Sequence, residues 1–498
     1  MSLKPAGYTW LKQHFKLNRH VLTHNSYIGN NSSIGLTSKG NIEQVYSIRY
    51  DPGNTPAQHI EFALKYDDFN PDFLQEVFQL MQEAEVVAFI EHVPSGKYAR
   101  KIGFLYEFLT GKQLSIQKTI SGNYIDLLEP DKYITSKGTK NQRWRINDNL
   151  LGTPAYCPVV RRTKELQELL QKNVPEELEQ LRTDFSPETF TRATGYLYRK
   201  ETRSSYEIEK EQPSPDRMER FVTLLMQAGT EPEEKLLEEK RLVQLQNAIL
   251  DPRFAASGFR DFQNYIGQSL PNFQDLIHYI CPPPGMVPSL MKGLHDMALK
   301  TVGIAPEIRA AIVAFGFVFI HPFEDGNGRI HRFLIHDVLT LDKLVPQGMI
   351  IPVSAHMLNH RRDYDHILEV YSKPLMQLVR YTMHANGELV ITNPDQLQGY
   401  FRYPDLTDQC IYLARVLHAT LLEDMKDELL FLQRYDDAKT EIQKIVDMPD
   451  RLLNLMILFL HQNKGMFPKK RREDFHQLTN EEIQRIQDAY RKVFELDI

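Results

Sequence analysis

The most strongly patterned stretch of the chain covers residues 305–320. Pro306 stands near its start, and Ile308, Ile312, Phe315 and Phe319 recur at helical spacing. This pattern predicts a core helix that delivers His321 at its end. A second helix is predicted over 329–341, with Phe333, Leu334, Val338 and Leu341 buried. Further helices are predicted over 55–64, 70–84 and 98–109, then over 216–227, 236–250 and 287–299. In the 70–84 helix the inner set is Phe73, Val77, Phe78, Leu80 and Met81. In the 98–109 helix it is Ile102, Leu105, Tyr106 and Leu109, which leaves Arg100 and Lys101 as solvated surface.

Elsewhere the pattern changes. Residues 164–181 read as an exposed amphipathic stretch broken by Pro175. Ser186-Pro187-Glu188 opens a new helix whose inner side is Phe190, Ala193, Tyr196 and Tyr198. Two short apolar runs, 263–267 and 276–280, are separated by Gly, Pro and Asn and predict a β-hairpin. Residues 45–49 read as a strand, 25–40 as a loop rich in Asn, Ser and Gly, and 51–54 as a turn. Beyond residue 395 the pattern is helical over 405–432, 440–447 and 451–463. Thr479-Asn480-Glu481-Glu482 is a capping box for a last helix.

The fold class is therefore mainly α. Four parts are expected: an α+β N-terminal region over 1–160, a helical linker over 161–212, a helical core with its β-hairpin over 213–390, and a helical C-terminal region over 391–498. Composition agrees with a folded chain of several domains: 498 residues, 42% hydrophobic and 25% charged. A net charge of −6 argues against a nucleic-acid binder. The run Lys469-Lys470-Arg471-Arg472 reads as a solvated loop. Cys157, Cys281 and Cys410 form neither a metal spacing nor a disulfide framework, which fits a reducing cytoplasm. No apolar leader stands at residues 1–10 and no run is long enough to span a bilayer, so no membrane is expected.

The chemistry concentrates in His321-Pro322-Phe323-Glu324-Asp325-Gly326-Asn327-Gly328-Arg329-Ile330-His331-Arg332. Gly326 and Gly328 bracket Asn327, which allows a tight turn whose N–H groups form an anion nest at a helix start. Arg329 and Arg332 are three apart, hence on one helix face, and their planar forks suit phosphate oxygens. Asp325 suits Mg²⁺, which binds one or two carboxylates plus substrate phosphates. His321, just before the turn, is placed to take a proton from an attacking hydroxyl.

This stretch resembles the full HPFx(D/E)GNGRxxR signature of the Fic family, and every fixed position matches. Family members mostly move AMP from ATP to a Ser, Thr or Tyr hydroxyl of a protein. The resemblance implies a Fic helical core and casts His321 as general base and Phe323 as the loop's anchor in the core. Asp325 would hold Mg²⁺, and Gly326, Asn327 and Gly328 would cradle the phosphates. Arg329 would neutralise the leaving pyrophosphate, and Arg332 would hold the γ-phosphate. It also implies that the hairpin is the flap on which a target segment docks, and that Tyr364 lies beside the adenine.

Many Fic proteins carry an inhibitory (S/T)xxxE(G/N) motif. Ser205 and Glu209 match its defining positions, and Lys210 stands where Gly or Asn is expected. A glutamate paired with Arg332 through a bidentate contact would misplace the tail of ATP. The leading expectation is a protein adenylyltransferase using ATP and Mg²⁺, restrained by its own glutamate. Its partner would be a protein with an exposed hydroxyl, with self-modification and a homo-oligomer left open. The alternatives are a Fic-fold enzyme that uses another phosphate-containing donor or removes AMP, and, from another class, a nucleotide-sensing or DNA-binding regulator.

Overall fold

The computed structural model describes residues 3–37, 41–269, 275–384 and 387–496. The Gly-, Pro- and Asn-bearing connection between the two hairpin runs lies mostly outside these residues.

The chain is mainly helical, and its buried apolar side chains gather into three large clusters. The first spans Tyr8 to Val159 with Tyr403. Here a four-stranded sheet runs in the order Lys4–Ala6, His24–Gly29, Ile42–Ser47, Ser33–Leu36. Two of these strands occupy the stretch expected to be loop. Ser33–Leu36 pairs antiparallel with the next strand, whereas His24–Gly29 pairs parallel to Ile42–Ser47 across the intervening strand's segment. That partner supplies hydrogen bonds that local composition cannot announce.

The helix Pro56–Tyr66 begins with a capping box between Thr55 and Gln58. The next helix, Pro71–Leu80, stops short of the predicted end. Met81 is extended, Leu80 faces solvent, and a separate helix, Glu83–His92, follows. In Lys97–Thr110 the predicted inner face is buried. Arg100 and Lys101 are buried too, against expectation. Arg100 donates to the carbonyls of Asn123 and Arg145, and Lys101 reaches Glu129 at 3.0 Å. Loops folded over the helix supply these partners, so the two cations are not solvated.

The second cluster holds the rest of the machinery. The predicted 164–181 stretch is two helices, Lys164–Leu170 and Val174–Asp184, because Asn173 caps the second and Pro175 stands in its first turn. The long helix Pro187–Ile208, capped by Ser186, buries Ala193, Leu197 and Tyr198 but leaves Tyr196 exposed. Pro215–Met226 and Glu239–Ile249 follow. The hairpin Tyr265–Ser269/Asp275–Ile280 is antiparallel, with a register shift at Ile266/Gly267. Then come Val287–Lys300, Pro306–Ile320, Asn327–Leu341, Val353–Asn359 and Arg361–Leu378. The core helix Pro306–Ile320 is buried on every side, which the one-sided pattern understated.

Toward the C-terminus, two predicted helices are one rod. Thr407–Ala419 passes through a π segment, Thr420–Met425, into Lys426–Ile445. Its far end joins the third cluster with Asp450–Gln462 and Asn480–Val493. Thr479 and Glu482 form the predicted capping box. In the basic run, Arg472 donates to the carbonyls of Phe475 and Leu478, which is a structural use. No helix among the described residues is long and apolar enough to cross a membrane.

Candidate active site

His321 ends the core helix in a left-handed backbone conformation, φ 52°. A non-glycine residue there carries about 1–2 kcal/mol of strain, so neighbours must hold it. The turn that follows is closed by Asn327. Its side chain accepts from the Phe323 N–H at 3.0 Å and donates to the Phe323 carbonyl at 2.9 Å. The Asn327 side-chain amide is thereby committed to the loop. Phe323 is fully buried against the rings of Phe259 and Phe317.

Gly326 caps the helix Asn327–Leu341 with φ 91°, a conformation that penalises any side chain. The first-turn N–H groups of Asn327, Gly328 and Arg329 have no intrahelical acceptor, so they form an anion-binding end. An anionic group is already there. A Cβ added at Gly328 would lie 2.2 Å from Oε1 of Glu209. The missing side chain is what lets that carboxylate approach the helix end.

Arg332 is buried, and each nitrogen of its guanidinium has a partner. Nε donates to Ser205 Oγ at 2.9 Å, Nη2 to the Ser205 carbonyl at 2.7 Å and to Glu209 Oε1 at 2.8 Å, and Nη1 lies 3.4 Å from the Tyr364 hydroxyl. Ser205 and Glu209 thus meet the same guanidinium. The contact with Glu209 is single rather than bidentate, because Ser205 takes the neighbouring donors. Burial by itself would raise the Glu209 carboxyl, but Arg332 outweighs it, helped by Arg329 and Arg361, and the group sits below its ordinary value. Tyr364 is almost wholly buried behind Arg332, where its hydroxyl steadies the fork.

A second carboxylate was not legible beforehand. Glu211 accepts from Arg329 Nη1 at 2.9 Å and from Arg217 Nη2 at 2.8 Å. Arg329 also donates to Asp325 Oδ1 at 2.8 Å, and its buried Nε has no partner among the described residues. Both motif arginines therefore face carboxylates from the segment that follows Ile208. That segment is a Schellman turn: Glu211 N–H donates to the Tyr206 carbonyl and Lys210 N–H to that of Glu207. Lys210 occupies the left-handed position at φ 59°, where Gly or Asn would be unstrained. The departure at residue 210 leaves the geometry intact. Arg361 donates to the Ile208 carbonyl and adds a cation at the helix end.

The imidazole of His321 is held through Nδ1, 3.1 Å from the Val318 carbonyl. That bond makes Nδ1 the protonated nitrogen and Nε2 the acceptor. Burial pushes the imidazole down to about 4, the Arg260 charge adds to this, and the Val318 bond, Glu209 and Asp325 oppose it. The ring is a neutral base near neutral pH. Asp325 Oδ1 accepts from Gly326 N–H and Arg329, while no bond from the described residues reaches Oδ2. One carboxylate with a free oxygen beside an anion cradle fits Mg²⁺ that completes its shell from phosphates. Among the described residues no group of three or more acidic, His or Cys side chains could hold a metal by itself. Cys281 is buried, and its thiol is pushed up to about 12 by burial, which makes it no nucleophile.

Residues 236–339 match the family model described as Fic/DOC family, so this stretch of the chain is a Fic/DOC domain. Proteins with this domain are generally nucleotidyl or phosphate transferases. Two solved structures are similar to this chain. One is a Fic family protein from Desulfovibrio desulfuricans G20, 16% identical, covering 63% of this chain and 87% of its own, with a TM-score of 0.38. The other is a Fic domain containing signaling protein from Bacteroides thetaiotaomicron VPI-5482, 17% identical, covering 53% and 97%, with a TM-score of 0.34.

Proposed function

We propose that the protein transfers AMP from ATP to a hydroxyl group of a target protein, and that its own carboxylates restrain it. The observation that carries this reading is the pair of chain-borne carboxylates, Glu209 and Glu211, facing the two motif arginines beside a glycine-lined helix start. Sites that attract two anionic side chains from one segment are sites built for an anionic ligand.

In this reading Nε2 of His321 accepts the proton of the target hydroxyl. The hydroxyl oxygen forms a bond to the α-phosphorus, and the bond from that phosphorus to the bridging α–β oxygen breaks. Pyrophosphate leaves with the electron pair, and its charge is met by Arg329 and the first-turn N–H groups of Gly328 and Arg329. Arg332 holds the γ-phosphate in line once Glu209 has left it. Asp325 would hold Mg²⁺, which supplies neutralisation of the phosphate charge. The open edge of the hairpin would pair with an extended target segment through main-chain hydrogen bonds, which brings the hydroxyl to His321 without demanding a long recognition sequence.

The donor is tested by supplying the Glu209→Gly variant and cell extract with ATP labelled on the α- or the γ-phosphate. AMP transfer leaves label on protein from the α position alone. Label from the γ position would instead assign phosphoryl transfer. A tryptic peptide heavier by one adenylyl group on a Ser, Thr or Tyr then names the partner.

A further inference from the structure

The carbonyls at the end of a helix have no following turn to accept from, and each needs another donor. At the end of Pro306–Ile320, one side chain from outside the motif supplies the last two, those of Ile320 and His321. Arg260 is 5% exposed, yet no carboxylate pairs with it among the described residues. Its Nε donates to the His321 carbonyl at 2.8 Å, and Nη2 to those of Pro282 at 2.7 Å and Ile320 at 3.4 Å. Nη1 donates to the Phe262 carbonyl at 2.8 Å, and the backbone N–H of Arg260 donates to Pro322 at 2.8 Å.

These acceptors belong to three segments: the motif loop, the approach to the hairpin and the exit from it. A buried cation without a counter-charge is costly, and a filler at this place would be apolar. What offsets the cost is the negative end of the core helix, together with a planar fork that matches several carbonyls at once. Tyr279, on the second hairpin strand, completes the cap by donating to the Phe319 carbonyl. The hairpin and the histidine are thus fastened to the same point.

We propose that Arg260 is the positioning residue for His321: its fork holds the imidazole-bearing turn in its left-handed pose and registers the hairpin against it. This rests on His321 being the base of the reaction. Holding the turn fixes where Nε2 points, and the hairpin's register fixes where a docked hydroxyl arrives. The same positive charge lies beside the imidazole and disfavours its protonation. Of the other groups facing that ring, Glu209 and Asp325 favour protonation, as does the Val318 carbonyl.

The test uses the full chain with Arg260→Lys, which keeps the charge and loses the fork, and Arg260→Gln, which loses both. Each is read in two ways: the titration of the His321 ring by NMR, assigned with His321→Ala, and transfer kinetics in the Glu209→Gly background. Arg260→Lys is expected to leave the His321 pKa near 4. Its kcat should fall on the order of tenfold to a hundredfold, with the KM for ATP changed less than about threefold. Arg260→Gln should lose rate as well and move the imidazole upward, though only in part, because burial, the larger cause of the depression, remains. The proposal is overturned if folded Arg260→Lys keeps full kcat, or if both variants lower only thermal stability. Should the glutamine variant fail to fold, the lysine variant still decides. The ring titration needs no substrate, so it remains readable even if the chain transfers a group other than AMP.

Discussion

Glu209 and Arg332 lie 123 residues apart in sequence, and their side chains meet at 2.8 Å. The helix that carries Glu209 is itself fastened to the core. Glu201, about two helical turns before it, accepts from His336 at 2.8 Å and from the Ser354 N–H at 2.8 Å, and Lys200 pairs with Glu428. His336 is thus a satisfied core histidine. A helix held by buried partners does not swing away cheaply. On the proposed restraint, release of Arg332 is expected as a local event in the turn after Ile208.

Lys210 is the strained residue of the turn. Lys210→Gly should stabilise the protein by about 0.5–1 kcal/mol and hold the carboxylates more firmly, so basal self-labelling falls. Lys210→Val should do the opposite, because a branched side chain tolerates the left-handed region worst. Thermal unfolding and labelling rates of the two variants check both signs. Equal labelling in the two would disconnect the turn from the restraint.

Glu211 is expected to compete with the phosphates at Arg329. Glu211→Gln should tighten ATP binding by roughly threefold to tenfold, which corresponds to about 0.7–1.4 kcal/mol. It should also lower the melting temperature, because Arg217 loses its charged partner. Calorimetric titration with ATP reads the first effect. Unchanged affinity would limit Glu211 to a structural role.

The pH dependence follows from His321. Its pKa is about 4 in the folded chain and ~6.5 when unfolded. Between these values the unfolded state binds the proton and the folded state does not. The stability linked to this residue is present above about 6.5 and is lost as pH falls toward about 4. For the same reason the transfer rate of the Glu209→Gly variant should hold between about pH 8 and pH 5.5, with its acid limb near 4. An acid limb at 6.5 would mean an imidazole open to water.

Legibility in the sequence followed how local each signal was. The core helix, His321, the glycine turn and both arginines lie within one short run, and the pattern alone places them together. Ser205 and Glu209 were legible only through the resemblance to the family's (S/T)xxxE(G/N) motif, since their spacing of four is common to any charged helix. Glu211 was within reach of the same reading, two residues on, but its use depends on a left-handed turn at Lys210 that composition does not signal. Arg260 had no signal at all, since its partners are backbone carbonyls from three segments. The N-terminal sheet was misread for a related reason: Ser33–Leu36 is fully exposed and pairs only along one edge, so it shows no alternation. Arg100 and Lys101 look like surface until the loops that cover them are in place.

The central claim is that a base at His321 acts on a phosphate site blocked by Glu209. It is tested most directly by measuring incorporation of α-labelled ATP into protein by three forms of the chain: unaltered, Glu209→Gly, and Glu209→Gly with His321→Ala. The account predicts slow labelling in the first, a rise of about tenfold or more in the second, and loss of labelling in the third. Equal labelling by the first two, or label that persists without the imidazole, would contradict it.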